Sequence, residues 1–184
     1  MTRKLTAHLF SSVDGAVDAP YRYQFDSFDG GVAEAMTRQL AEVDAFLMGR
    51  VLYEEWSAYW PGNDDPEDFG AFINPVAKYV VSNTLQEPLA WQNSTLLHHD
   101  PMDAVRALKE TEGGTISAGG ITLIRSLIDH DLLDELLLTI HPALAGNGRR
   151  LMHGHDQVTR LELVEHEVTE KGNLVLTYRK RPRH

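Results

Sequence analysis

The sequence predicts an α/β fold: three layers, αβα, around a mostly parallel central sheet that ends in an antiparallel hairpin. Three observations carry this. Two apolar, strand-like runs, 44–48 and 115–118, each stop on glycine and give way at once to a helical pattern. Strand-like and helix-like segments alternate from Leu5 to His141, the order that builds parallel βαβ units. The last stretch instead pairs 161–168 with 174–179 across Glu170-Lys171-Gly172-Asn173, a hairpin signal. No repeat, low-complexity tract or linker interrupts the chain, so a single domain over 1–184 is expected.

Taken in order, Leu5, Ala7 and Leu9 alternate with Thr6 and His8 and predict a first strand, closed by Ser11-Ser12-Val13-Asp14-Gly15. An irregular aromatic stretch follows, with Tyr21, Tyr23, Phe25 and Phe28 punctuated by Pro20 and Gly30-Gly31. Val32, Ala35, Met36, Leu40 and Val43 keep helical spacing. Residues 44–48 read as a strand buried on both faces, and a short helix carries Tyr53 and Trp56. Ser57 to Gly70 reads as a long polar loop, a length associated with function or mobility.

Tyr79 to Ser82 is the next strand. Asp100-Pro101 predicts a helix start, an acid at the N-cap and proline at the first helical position. Ala104, Val105 and Leu108 form its buried face, and Gly113-Gly114 stops it. After the strand ending at Gly119-Gly120, Ile121, Ile124, Leu127 and Ile128 mark one helix face, and 134–141 is a leucine-rich strand.

Composition narrows the function. Asp plus Glu number 27 against 17 Lys plus Arg, a formal net charge of −10, which argues against nucleic acid or an anionic membrane surface as the main partner. Cysteine is absent, so disulfides, thiolate nucleophiles and cysteine-held metals are excluded. The first residues lack the apolar run of a signal peptide and no window suits a membrane span, so a cytoplasmic protein is expected.

Special chemistry clusters at two strand ends. Leu47-Met48-Gly49-Arg50 closes one strand, and Ala118-Gly119-Gly120 closes the other and opens Ile121-Thr122-Leu123-Ile124. Open α/β sheets bind ligands at the carboxyl ends of their strands. Glycines there let backbone N–H groups approach an anion, and arginine offers a planar fork for a phosphate. Together the two segments imply a grip on a phosphorylated dinucleotide. Each residue also has a plainer role. The double glycine serves as a tight helix start, Arg50 as a surface ion-pair residue, Ser82 and Thr84 as turn residues, and Asp14-Gly15 as a turn.

The ordered set Ser12-Val13-Asp14-Gly15, Leu47 to Glu54, Val80 to Leu85, Ala118-Gly119-Gly120, Leu133 to Leu136 and His141-Pro142 resembles the dihydrofolate reductase-like family. Within it, the resemblance is closest to the reductase domain of the bifunctional riboflavin-biosynthesis deaminase–reductase, and to stand-alone, reductase-like members. It covers nearly the whole chain. The resemblance implies NADPH-dependent reduction of a pterin- or pyrimidine-like heterocycle, including a ribosylaminopyrimidine. It also implies a homodimer.

By resemblance, Gly49 and Arg50 meet the adenosine 2′-phosphate or a nearby phosphate, and Ser82, Asn83 and Thr84 lie along the adenosine half. Gly119 and Gly120 meet the pyrophosphate at a helix N-terminus, with Ile121 and Thr122 following. Asp14 and Glu34 are the candidates for substrate binding or proton supply. Leu52 stands where relatives often carry threonine, Ala118 where the riboflavin-pathway reductases usually carry an acid, and Ala16 where Arg or Lys is often seen. The zinc signature of the deaminase half is absent, which excludes deamination for this chain. Two alternatives stand beside the reductase: a cofactor-binding or sensing module without catalysis, and a reductase of dihydrofolate itself.

The remaining motifs add little chemistry. The aromatic segment 21–28 serves equally as a hydrophobic cluster or as a lid over a flat heterocycle. For Tyr53, Trp56, Tyr59 and Trp60 plain packing leads. The nine histidines, including His98-His99 and His153-Gly154-His155, lack recognised metal spacing, so no metal is expected. His141-Pro142 reads as a bend at a strand end.

Overall fold

A computed structural model describes residues 2–63, 69–98 and 100–181. Residues 64–68 of the predicted polar loop and His99 of the His98-His99 pair lie outside the described residues. The elements in chain order are β1 (Leu5–Ser12), α1 (Gly30–Leu40), β2 (Val43–Gly49), α2 (Arg50–Tyr59), α3 (Phe69–Ile73) and β3 (Ala77–Val81). There follow β4 (Ser94–Leu97), α4 (Pro101–Lys109), β5 (Thr115–Gly119), α5 (Ile121–Asp129), β6 (Glu135–His141), β7 (Leu161–Val168) and β8 (Leu174–Lys180). The fold class is three-layer α/β, with mostly parallel strands and a C-terminal antiparallel hairpin.

The chain forms two compact units, Met1–Leu5 with Glu42–Leu132, and Thr6–Ala41 with Leu133–His184. Each draws on two separate stretches, so no linker or composition shift marks a boundary in the sequence.

In the first unit the strands run β4-β3-β2-β5, all parallel. Strand β2 is a continuous apolar run because it is buried on both faces, and Leu47 and Met48 are wholly inaccessible. Each such side chain contributes about 1.5–3 kcal/mol of hydrophobic stabilisation. Phe46, Tyr53, Ile73, Val80 and Trp91 form one cluster, with Trp56 and Trp60 packed against it, so packing is what occupies most of the aromatics of α2. Tyr59 is exposed.

Lys78 lies inside this unit, fully buried. Its ammonium donates to the carbonyls of Ile73, Asn74 and Val76, each at 2.9 Å, and sits 4.6 Å from the centre of a Trp91 ring. All three donors are used, which is the condition for burying an amine. Burial pulls its pKa down to about 8.

Several local expectations change. The helix start at 101 is correct, but Asp100 has φ 47° and its side chain makes no capping bond. An N-cap acid reaches the first amides from an extended backbone, and the left-handed one turns it away. Gly30-Gly31, read as punctuation, begins α1 itself, capped by Asp29, which accepts from the Val32 amide at 3.0 Å. A side chain at Gly31 would meet Thr169 at 2.9 Å, so close approach explains that glycine. Val43 starts β2 instead of ending α1. On α5 the buried face uses Leu123 in place of Ile121, which is only half-buried at the first turn. Strand β4 and helix α3 were not anticipated: with four and five residues they are too short to show a period.

In the second unit the order is β1-β6-β8-β7. β1 and β6 are parallel, and β8 is antiparallel to both β6 and β7. Helix α1 buries Val32.

Candidate functional site

Strands β3, β2 and β5 end level in the first unit. Gly49 is in register with Val81, and Met48 with Gly119. Two helices therefore start beside each other, α2 behind Gly49 and α5 behind Gly120. Neither N-cap supplies a side-chain bond to the first turn. Both N-caps are glycines with no side chain to offer, and both positive dipole ends emerge at one edge. A Cβ placed on Gly120 would lie 3.9 Å from the Gly49 nitrogen, so the two starts adjoin. Arg50, the first residue of α2, adds a formal positive charge there. The arrangement suits an extended anion with two phosphate groups.

The two glycines of the pair differ in purpose. At Gly119 a Cβ would fall 2.7 Å from Leu52 Cδ2 and 3.0 Å from the Phe46 ring, so packing forbids a side chain. At Gly120 the space is open, with the nearest atoms at 3.9 Å, but φ is 99°, a conformation that favours glycine. Gly119 closes the core and Gly120 shapes the helix start. Ile121 and Thr122 occupy the first turn, half-buried and exposed respectively.

Arg50 is exposed, and its Nη1 donates to Glu54 at 2.7 Å, one helical turn on. Ser82 is buried, and its hydroxyl accepts from the amides of Thr84 and Leu85, both at 3.1 Å. That bond pattern spends the hydroxyl on the turn and leaves Asn83 and Thr84 facing solvent. Ala118 is buried within β5, so the position usually acidic in the riboflavin-pathway reductases holds no charge here.

The catalytic candidates belong to the second unit. Asp14 follows β1 and accepts from the Ser12 hydroxyl at 2.7 Å and from the amides of Ala145 and Gly146, each at 2.9 Å. The Ser12 bond, then those backbone amides, hold its pKa down to about 2. Asp14 is ionised at neutral pH and is an acceptor, not a proton donor. Glu34 is exposed on α1.

Sequence reasoning missed how thoroughly Asp14 is tied to the loop after β6. The Val13 amide donates to Ala143 O and the Val17 amide to Arg149 O. Asp18 accepts from the Arg149 amide at 2.9 Å, Arg150 Nε donates to Asp14 O, and Arg22 donates to Ala145 O and Asn147 O. At Gly148 a Cβ would lie 2.6 Å from Asp18 and 2.7 Å from Ala16 Cβ, so that glycine is required by contact. The glycines at 146 and 148 were the available signal.

A second unanticipated group is a pair of histidines, His141 buried and His8 half-buried. His141 Nδ1 pairs with Ser27 Oγ at 2.7 Å, and burial lowers its pKa. His8 Nε2 pairs with Thr139 Oγ1 at 2.8 Å, and burial, then the neighbouring His141, bring it to about 4. The Phe10 ring lies tilted 4.9 Å from His8 and 5.5 Å from His141, with Tyr23 6.0 Å from His141. The aromatic segment therefore divides: Tyr23 is buried, its hydroxyl donating toward Ala16 O, while Tyr21 and Phe25 are exposed. Among the described residues no three His, Asp or Glu side chains group as metal ligands. No described helix is long and apolar enough to cross a membrane.

Comparison with known proteins gives a consistent picture. Residues 3–175 match the RibD C-terminal domain family. The Bacillus subtilis protein YyaP, itself uncharacterized, is 29% identical over 143 residues, covering 76% of this chain and 75% of its own. Among solved structures, a putative riboflavin biosynthesis protein from Shewanella superposes with a TM-score of 0.75 at 20% identity, over 99% of this chain and 100% of that one. The dihydrofolate reductase of Enterococcus faecalis, complexed with NADP(H), gives 0.61 at 14% identity, over 99% and 100%. At these identities the structural likenesses establish the dihydrofolate reductase-like fold.

Proposed function

The chain belongs to the RibD C-terminal domain family, and from that premise we propose that it is an NADPH-dependent oxidoreductase acting on a small pterin- or pyrimidine-like heterocycle. A ribosylaminopyrimidine of riboflavin biosynthesis is the nearest named substrate, and a cytoplasmic setting accords with this reading. The observation that carries it is the pair of adjoining, glycine-headed helix starts behind Gly49 and Gly120, with Arg50 beside them.

The amides of the first turns of α2 and α5, including those of Ile121 and Thr122, would hold the pyrophosphate. Arg50 would exchange its Glu54 partner for the 2′-phosphate, a bidentate match that a lone carboxylate on the helix surface resists only weakly. Asn83 and Thr84 would face the adenosine, held outward by the Ser82 turn. When bound, NADPH would supply a hydride to a C=N or carbonyl carbon of the heterocycle or of its ribosyl group. Asp14, ionised and accepting three hydrogen bonds, would fix the loop after β6. Proton supply then falls to Glu34 or to water.

Thermal unfolding with NADPH and, separately, NADH tests the reading. A ligand that binds only the folded state adds about 2.7 kcal/mol at a hundredfold excess over its Kd. A large shift with NADPH and a smaller one with NADH is expected, and no shift with either would overturn it. A second reading, cofactor binding without turnover, is favoured by the buried Ala118 and the fully engaged Asp14 carboxylate. Oxidation of NADPH by any of a panel of flat heterocycles would remove that second reading.

A further inference from the structure

The two sides of β1 differ. Leu5, Ala7 and Leu9 share one side and are all buried, whereas Thr6, His8 and Phe10 share the other. Strand β6 continues that second side, with Leu137 in register with His8 and Thr139 with Phe10. Helix α1 lies over it: Val175 pairs with both Thr139 and Glu167, and Arg38 of α1 reaches Glu167 at 2.6 Å. The cover is incomplete. Of the eleven residues of α1 only Val32 is buried, while the nine-residue α5 buries four. His8, Phe10 and Leu137 stay half-buried on the covered side, so a partly open space remains between helix and sheet.

Two polar groups on this side lack a counterpart in the protein. Thr6 is only 5% exposed, and its hydroxyl makes no hydrogen bond among the described residues. His8 spends Nε2 on the Thr139 hydroxyl at 2.8 Å, and its Nδ1 has no partner among the described residues. Polar groups below the surface are nearly always paired, so two in a row on one strand mark a place for a further partner. The surroundings say which kind. The Phe10 ring lies 4.9 Å from His8 and Leu137 stands beside it, so the walls are apolar, one is aromatic, and few polar groups interrupt them. That is the make-up of a small-molecule site. His8 is uncharged at neutral pH, because burial and then the neighbouring His141 bring its pKa to about 4. The Thr139 hydroxyl both donates and accepts, so the imidazole can offer Nδ1 as an N–H or as a lone pair. We propose that His8 binds the edge of the substrate heterocycle, matching a ring carbonyl or a ring N–H, with the ring lodged between α1 and the β1–β6 face. This rests on the reductase reading and adds to it the residue that selects the heterocycle.

Titration of the full chain, saturated with NADPH, with pterin and with diaminouracil tests the proposal. Nitrogen NMR of the imidazoles is expected to show the His8 Nδ1 resonance moving as the probe binds, while those of the exposed His166 stay still. His8→Leu should weaken the probe roughly 10- to 100-fold and leave stabilisation by NADPH as it was. His8→Gln keeps a donor and an acceptor and should recover most of the affinity. A residue that merely packs would give a different pattern: both variants would lose stability and neither would discriminate between probe and cofactor. Probe binding that leaves the His8 nitrogens unmoved, or an unchanged affinity in folded His8→Leu, would overturn the proposal and leave the reductase reading standing. Stabilisation by NADPH with no binding of either probe would do the same. A chain that NADPH fails to stabilise would sink the reductase reading and this proposal with it.

Discussion

The helix starts of the first unit and the paired loops of the second stand at opposite extremes of hydrogen-bond satisfaction. The N-caps Gly49 and Gly120 make no side-chain bond to the helices they open. Around Asp14, by contrast, side chains from 14, 18, 22 and 150 meet backbone groups of the facing loop. Helix starts without a capping side chain favour other acceptors, which is why the proposed cofactor grip is placed in the first region. The second region is already complete, and its carboxylate works as a fastener. A carboxylate at a strand end is thus weak evidence of catalysis until its partners are counted.

The largest effects separate the two glycines that close β5. Gly119→Val forces a side chain into Leu52 and Phe46 and is expected to cost about 2–3 kcal/mol in urea unfolding. Gly120→Ala meets no atom but must adopt a positive φ, for about 1–2 kcal/mol. The cofactor response should run the other way. At a temperature where both variants are folded, Gly119→Val keeps most of the stabilisation by NADPH and Gly120→Ala loses it. Equal loss in both would mean that the pair acts as one structural unit and that the helix start has no separate role.

Loss of the fastener comes next. Asp14 titrates at about 2 in the folded chain against an ordinary 3.8, chiefly through the Ser12 hydroxyl and the Ala145 amide. A depressed folded pKa adds stability above the unfolded value, and that stability is lost as the pH falls through the folded one. Asp14→Asn should therefore lower Tm at pH 7, with the gap to wild type closing between about pH 4 and pH 2. A gap that persists unchanged below pH 2 would show that the carboxylate charge is not what holds the loop.

The same contrast explains what could be read from the sequence. The strand–glycine–helix runs at 44–50 and 115–121 are local, and their period, their glycines and Arg50 are visible within a few residues. Asp14 and Ala145 are distant in the chain, and nothing near either announces the bond between them. His141 looked like a bend before proline because its partner, Ser27, lies far upstream. Short elements such as β4 were lost for want of length.

Arg50 offers the smallest effect on stability and the sharpest on recognition. Its ion pair with Glu54 is half-exposed and one helical turn long, so Arg50→Ala should change unfolding by no more than about 0.5 kcal/mol. A charge-assisted bond to a 2′-phosphate is worth about 1.5–3 kcal/mol, so NADPH affinity should fall roughly 10- to 100-fold. NADH, which lacks that phosphate, should bind as before. Glu54→Gln supplies the converse, because the carboxylate now holding the guanidinium competes with any phosphate for it. Isothermal titration should find NADPH bound more tightly by that variant and NADH unchanged. If Arg50→Ala weakens both cofactors equally, the guanidinium serves the helix start as a whole and discrimination of the phosphorylated cofactor lies elsewhere.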